Sequence, residues 1–371
     1  MMRTSTLSVA TLLLATVAGG LRAQENLFPQ ASIVGGIETR QYVFGDSFSV
    51  DRVRQIAVPL GVVVPVGKRF SFDVGTVWAS TTVRRPTGED QTFSHLTDTQ
   101  VRGSYIFGND ALVASVAVNL PTGAGTLSRN DFNVASSTSS SFLLFPVNSY
   151  GSAFSVTPGL AAATTAGNWN LGLAASVRAN ASYTPFADTT GTYQPGVETR
   201  IRGGVDRLVG SSRFLLGATF STFSNDELQG TTLGSGSFDP GNRILLDLGI
   251  VAPVGGGTLG FYLWNYHRYR SGSVSSQSSS GGKENVFTGG LNGSFRLSKS
   301  LSLEPVAEAR FWSPESGSGQ LFGAGTGLRI QAGSHMAFVP GFRVDFGTIE
   351  DPAGSHSITG WALNALARYG L

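Results

Sequence analysis

The chain of 371 residues contains no cysteine. That absence excludes disulfides and thiolate metal sites, and it fits an exported chain stabilised by other means. Charge is scarce: 26 basic and 24 acidic residues make up 13% of the chain, about half the share usual in soluble domains. The balance of sign, +2 overall, removes the electrostatic case for nucleic acid as a partner. Long apolar runs are missing too. After Ala23 no stretch approaches the roughly 18 apolar residues of a membrane-spanning helix, and helical periodicity is nearly absent. Glycine, by contrast, is abundant at 49 residues, nearly twice its average share.

At the N-terminus Arg3 supplies a charged start, Leu7 to Ala18 (LSVATLLLATVA) is short and apolar, and Ala23 stands at a plausible cleavage point in GGLRAQ. The pattern predicts a secretory signal peptide over residues 1–23, too short to span a bilayer. Residues 24–371 then form a single domain.

From residue 31 onward, period-2 segments are separated by Gly, Ser, Asn and Pro clusters. They predict sixteen strands, over 31–44, 51–66, 69–85, 95–107, 110–120, 153–165, 168–184, 195–208, 212–223, 241–253, 257–270, 285–297, 300–313, 319–331, 335–348 and 355–371, with fourteen as the alternative count. The links are sorted by length. VGKR, GND, AGN, GSS, GGG, SKS and AGS are tight. Between them come PTGEDQTFS, the stretch from Pro121 to Gly151, ADTTGTYQ, SNDELQGTTLGSGSFDP and SGSVSSQSSSGGK. Short and long links in alternation are the mark of an up-and-down barrel in an outer membrane, with tight periplasmic turns and long extracellular loops. A sandwich with Greek-key crossovers has no reason to sort its loops this way.

The faces say which solvent each side meets. In HMAFVPGFRVDFG, residues 335–347, Met336, Phe338, Phe342, Val344 and Phe346 share one face, and His335, Arg343 and Asp345 the other. Phe214, Leu216, Ala218 and Phe220 alternate in the same way with Arg213, Thr219 and Ser221, as do Trp169, Leu171 and Leu173 with Asn170 and Arg178. In a barrel the apolar set meets lipid and the charged set the lumen. Phe70, Trp78, Tyr105, Phe107, Trp264, Tyr266, Trp361 and Tyr369 lie near strand ends and are expected in interfacial girdles. A closed barrel has no free edge to hide Pro59, Pro158, Pro305 and Pro340, so each should mark a bulge or an amide position its neighbour does not use.

Within LTDTQVRGSYIFGNDALVASVAVNLPTGAG, residues 96–125, Leu96 and Asp98, Tyr105 and Phe107, and Leu120 to Gly123 form an L-x-D strand, a Y-x-F turn and an LPTG strand end. In these elements the chain resembles outer-membrane barrels of the FadL-like and phenol-degradation (meta-pathway) transporter group. The resemblance implies passive uptake of small molecules, apolar or aromatic. Residues 24–30 are too few for the N-terminal hatch of fatty-acid transporters. The last strand, with Trp361, Leu363, Ala365, Ala367, Tyr369 and Leu371 on one face, looks like the signal read by the barrel assembly machinery, though it ends on leucine where an aromatic is usual.

The inward ladder predicted from alternation comprises Asp98, Arg102, Arg178, Glu198, Arg200, Arg202, Asp206, Arg243, Asp247, Glu304, Glu308, Arg310, Arg343 and Asp345. These residues either line a water-filled pore or bind a polar solute, or they pair across strands and fill the wall. Their mixed signs do not predict strong ion selectivity, which needs rings of one charge. The long loop carries SFLLFPV, residues 141–147, and an apolar cluster in a polar loop wants burial. Phe142, Leu143, Leu144 and Phe145 are therefore candidates for a constriction or a docking site inside the lumen; capping the mouth or lying on the outer leaflet are the alternatives. For an enzyme the material is thin: four histidines, and no G-x-S-x-G elbow, HExxH motif or acid/base carboxylate pair. The reading is an all-β multi-pass barrel in the outer membrane of a Gram-negative bacterium, binding no cofactor or metal, with membrane lipid, the assembly machinery and a small-molecule solute as partners. The competing function is a non-transporting surface or structural barrel that interacts through its loops.

Overall fold

A computed structural model of the chain describes residues 31–45, 48–108, 111–188, 190–231, 234–273, 282–352 and 354–370. The predicted signal peptide and Leu371 lie outside these residues. Seventeen segments form one antiparallel sheet. Two of them, Gln91–Leu96 and Thr99–Phe107, pair with successive parts of the same neighbour and are halves of one strand. The barrel strands are therefore sixteen: β1 (Ser32–Phe44), β2 (Arg52–Val66), β3 (Phe70–Arg84), β4 (Gln91–Leu96 with Thr99–Phe107), β5 (Leu112–Leu120), β6 (Ser155–Ala166), β7 (Trp169–Asn180), β8 (Glu198–Val209), β9 (Ser212–Phe223), β10 (Arg243–Val254), β11 (Gly257–Arg268), β12 (Glu284–Arg296), β13 (Leu301–Pro314), β14 (Ser318–Ala332), β15 (Met336–Asp351) and β16 (Gly354–Gly370). Each strand pairs with its sequence neighbours, and β1 meets β16 from Ser32 opposite Gly370 to Phe44 opposite Ile358. Closure satisfies the backbone groups that a hydrocarbon environment would leave unpaired.

Alternation appears as two faces. Val58, Leu60, Val74, Leu160, Leu173, Leu216, Leu246, Leu291, Phe342, Val344 and Phe346 point outward and are exposed. Arg54 and Arg207 also stand on outward positions, near the ends of β2 and β8, where a charge costs far less than at mid-membrane. Arg207 lies over the Trp169 ring, 4.9 Å from its centre. Tight turns join strands on one rim; at Gly167 and Gly210 they need a left-handed φ of 61° in each case, which glycine takes without a Cβ clash. No helix among the described residues is long and apolar enough to cross a membrane, so crossing is by strands.

The four prolines resolve into one pattern. Pairing skips Pro59 on its β1 side, Pro158 on its β7 side, Pro305 on its β12 side and Pro340 on its β14 side. Register is the same before and after each skip, so none is a bulge. Each proline sits where its neighbour does without an amide. Among the described barrel strands, the bulge falls in β4. Trp78 pairs with Leu96 but Gly75 pairs with Gln100, one residue out of step. The extra residue puts Phe93 and His95 on the lumen face above it, and Asp98 and Arg102 on the same face below.

Two features depart from the sequence reading. A helix, α1 (Arg129–Ser136), interrupts the long loop between β5 and β6, capped by the Ser128 hydroxyl, which accepts from the Asp131 amide. The polar links above β7 to β12 are not featureless either. Thr192–Gln194, Asp226–Thr231, Gly234–Asp239 and Gly272–Ser273 form a four-stranded antiparallel sheet beyond the barrel rim.

Candidate functional site: a folded-in loop and a charged lumen

The loop between β5 and β6 turns back into the barrel. Its base is tied by Asp98, which the β4 bulge aims inward. The carboxylate accepts from Asn119 Nδ2 at 2.8 Å, the Gly123 amide at 3.1 Å, and the Ser152 amide and hydroxyl at 2.8 and 3.0 Å. From this base α1 packs on the inward faces of β2 to β4, with Ala135 against Ala57 and Ala79.

The segment from Phe142 to Tyr150 then runs across the strands in their spatial order. Phe142 stacks on Trp312 of β13, ring centres 5.6 Å apart. The Leu143 carbonyl accepts from Tyr42 of β1 at 3.0 Å, and Arg40 donates to the Leu143 and Leu144 carbonyls. Gln55 of β2 holds both backbone groups of Val147, at 2.8 Å each. Tyr150 reaches Thr81 of β3 at 2.5 Å and packs edge-on to Phe93 of β4. Burial raises the pKa of the Tyr150 hydroxyl, against the opposing effect of its bonds to Thr81 and Gln55. Leu144 adopts a left-handed φ of 51°, a costly state for leucine that persists only where the surroundings over-determine it.

This wall is built to receive an apolar segment. Val53, Val83, Leu321, Ile349 and Ile358 face inward toward the long-loop rim and cluster with Phe142, Leu143 and Phe145. On β14 the inward positions Gly319, Gly323, Gly325 and Gly327 are bare. A Cβ at Gly323 would overlap Asp345 and Arg343, and one at Gly319 would crowd Phe142 at 3.1 Å. The glycine-rich GAGTG stretch, residues 323–327, is therefore a recess for its neighbours.

Beneath the segment lies a buried ionic cluster. Glu308 binds Arg310, accepts from Arg343 at 2.9 Å, and accepts from the Tyr262 hydroxyl at 2.7 Å. Arg343 also reaches Asp345 at 2.7 Å. Arg310 is 2% exposed and donates onward to the Phe142 carbonyl. Glu304 pairs with Arg329 nearer the tight-turn rim.

The remaining predicted lumen residues lie apart from this cluster. Arg102 pairs with Asp73 at 2.9 Å and Arg178 donates to Ser155 at 3.1 Å. Glu198 holds Arg200, Arg202 bridges Thr219 and Asp247, and Asp206 takes Arg213 and Asn170. The Arg243 guanidinium sits 4.6 Å over the Phe223 ring. Two expected girdle residues belong here instead. Trp264 stands opposite Asp247 and Thr288, and Tyr266 opposite Leu245 and Val286, so both face the lumen. Trp78, Tyr105, Phe107, Trp361 and Tyr369 take outward positions. The sequence reading also missed Arg40, Tyr42, Gln55 and Tyr262, although Arg40 and Tyr42 already alternate with the apolar Ile37 and Val43 of β1.

Beside the loop base a cleft of 560 Å³ opens, lined in part by Phe93, His95, Phe154 and Tyr183. Burial and the nearby carboxylates of Asp226 and Asp98 push the Tyr183 hydroxyl up to about 12. The histidines are scattered: His95 beside Phe93, His267 against Tyr269, His335 near Tyr369, and His356 3.3 Å from Asp351.

A closed barrel with an apolar outer face, tight turns on one rim and long loops on the other is a multi-pass outer-membrane β-barrel. Neither a family model nor a curated protein matches the sequence. Solved structures of similar fold include a bacterial polysaccharide outer membrane secretin, 10% identical over 93% of this chain and 100% of that one, with a TM-score of 0.48. The CymD monoaromatic hydrocarbon channel is 9% identical over 92% of this chain and 89% of its own, TM-score 0.41. An outer membrane channel from Pseudomonas putida F1 is 10% identical over 95% and 100%, TM-score 0.39.

Proposed function

We propose that the barrel is a passive channel for small molecules, apolar or aromatic, and not an enzyme, with Phe142 to Tyr150 as its constriction. The observation that carries this reading is the course of that segment. It lies along one side of the lumen, over β13 to β16 and β1 to β4; the inward Val286 and Thr288 of β12 are buried as well, and much of the inward wall from β5 to β11 stays half-exposed. The covered side supplies apolar contact and the open side a wetted, charged surface, so a solute with an apolar body has a path between them. The aromatic-lined cleft beside the loop base gives such a solute a place to enter. In this reading the apolar face of β16 is what the barrel assembly machinery recognises, and residues 1–23 direct export.

Planar bilayers test the proposal. The full chain should give small or intermittent conductance, and deletion of residues 125–150 should give larger, steady steps. Electrically silent bilayers with both forms would sink it and favour a non-transporting surface barrel that acts through its outer sheet and loops.

A further inference from the structure

The wall from β8 to β12 places like charges side by side. Straight across the sheet from β8 to β12, register partners are Arg200, Ser221, Arg243, Arg268 and Glu284. Arg243 and Arg268 stand directly opposite each other, an arrangement that destabilises a sheet. Each has a partner of the opposite kind beside it, Arg243 the Phe223 ring and Arg268 the Glu284 carboxylate, yet the two guanidinium groups remain neighbours. On the adjoining row Arg178 faces Glu198.

The ion pairs on this wall do not hide the basic excess, because they are oriented. Arg200 is 34% exposed and its partner Glu198 5%; Arg268 is 36% exposed and Glu284 13%. Arg202 with Asp247 and Arg213 with Asp206 follow the same order. In all four pairs the guanidinium meets water more than the carboxylate does. Two steps along β11 from Arg268 comes Tyr266, and Trp264 follows on the same face. The wall thus offers planar cations with aromatic rings beside them.

We propose that this wall is a binding track for aromatic carboxylates. A guanidinium takes a carboxylate through two parallel N–H···O bonds, and the rings on β11 accept the aromatic body by stacking. The track rests on the channel reading for the solute's passage, but not for its binding.

Calorimetric titration of the full chain in micelles with benzoate, benzyl alcohol and benzylamine tests the assignment. Benzoate should bind, and its affinity should fall several-fold as sodium chloride rises. The alcohol and the amine should bind at least about tenfold more weakly, the margin of one charge-assisted pair. R243Q combined with R268Q should lose benzoate affinity by a similar factor while the barrel still migrates as a folded species on an unheated gel. Equal binding of the three probes, no benzoate binding, or a folded double variant that binds benzoate like the parent would overturn the track. Should the double variant fail to fold, the probe series and the salt series on the parent decide alone. Benzoate binding without flux through either form of the barrel would remove the channel and leave the track; flux that ignores charge would do the reverse.

Discussion

The two sides of the lumen are made from the same residue types in the same sheet, yet they differ in what they do with charge. On the covered side Arg310 and Asp345 are buried, Glu308 gathers three donors, and the cluster holds the Phe142 carbonyl above it. On the open side Arg202 is 43% exposed and its pair with Asp247 is wet. A buried pair is costly to break on one side only, because a bare charge remains in a dry place. An exposed pair contributes little to stability. Covering converts the first set into structure; its absence leaves the second set in contact with water.

Substitutions can break or sharpen that contrast. The largest effect is expected for Arg310→Ala, which strips Glu308 of a buried partner and the Phe142 carbonyl of its donor. A loss of about 3–5 kcal/mol should free the loop, giving protease cleavage between residues 125 and 150 and raised conductance. A cleavage-resistant loop with parental conductance would contradict the assigned pinning. Next comes a matched pair of glycines. Gly323→Val drives a side chain into Asp345 and Arg343 and should cost about 1–3 kcal/mol. On the open side a Cβ at Gly172 would have its nearest neighbours at 4.0 Å, and Gly172→Val should be tolerated. Equal shifts in the heat-unfolding midpoint would erase the distinction between the walls. Asp98→Ala should raise hydrogen exchange at the Gly123 and Ser152 amides, with a loss of about 1–2 kcal/mol; unchanged protection would show that the base holds without it. Smallest of all, Arg213→Gln should move the midpoint by less than about 1 kcal/mol equivalent, and a larger drop would mean that this exposed pair is structural.

The strands were readable because lipid imposes a period of two on almost every segment, and the tight turns declare themselves by glycine. The apolar SFLLFPV cluster announced a need for burial. Its destination was not readable, because the receiving surface is spread over β1, β2, β3, β14, β15 and β16. Tyr42, Val53, Val83, Leu321, Ile349 and Ile358 look like ordinary strand residues until closure brings them together. Trp264 and Tyr266 were misassigned for a related reason: proximity to a strand end does not say which face a ring takes. The arginine row needs register across five strands, and hydrophobic period alone does not supply register. Counting charges gave a mixed lumen; orientation within each pair, which decides what a solute meets, appears only with coordinates. The eight-residue α1 is shorter than a periodic window can detect.

The carboxylate of Asp98 bonds to the Gly123 amide on the way into the long loop and to the Ser152 amide on the way out. Residues 124 to 151 are thereby a closed circuit, whatever their middle is doing. Bringing together the ends of a segment that long costs about 3 kcal/mol of chain entropy, and here it is spent at the knot rather than at each docking. The middle can leave its berth and come back while the knot stays tied. Its residence in the lumen then depends on local contacts alone.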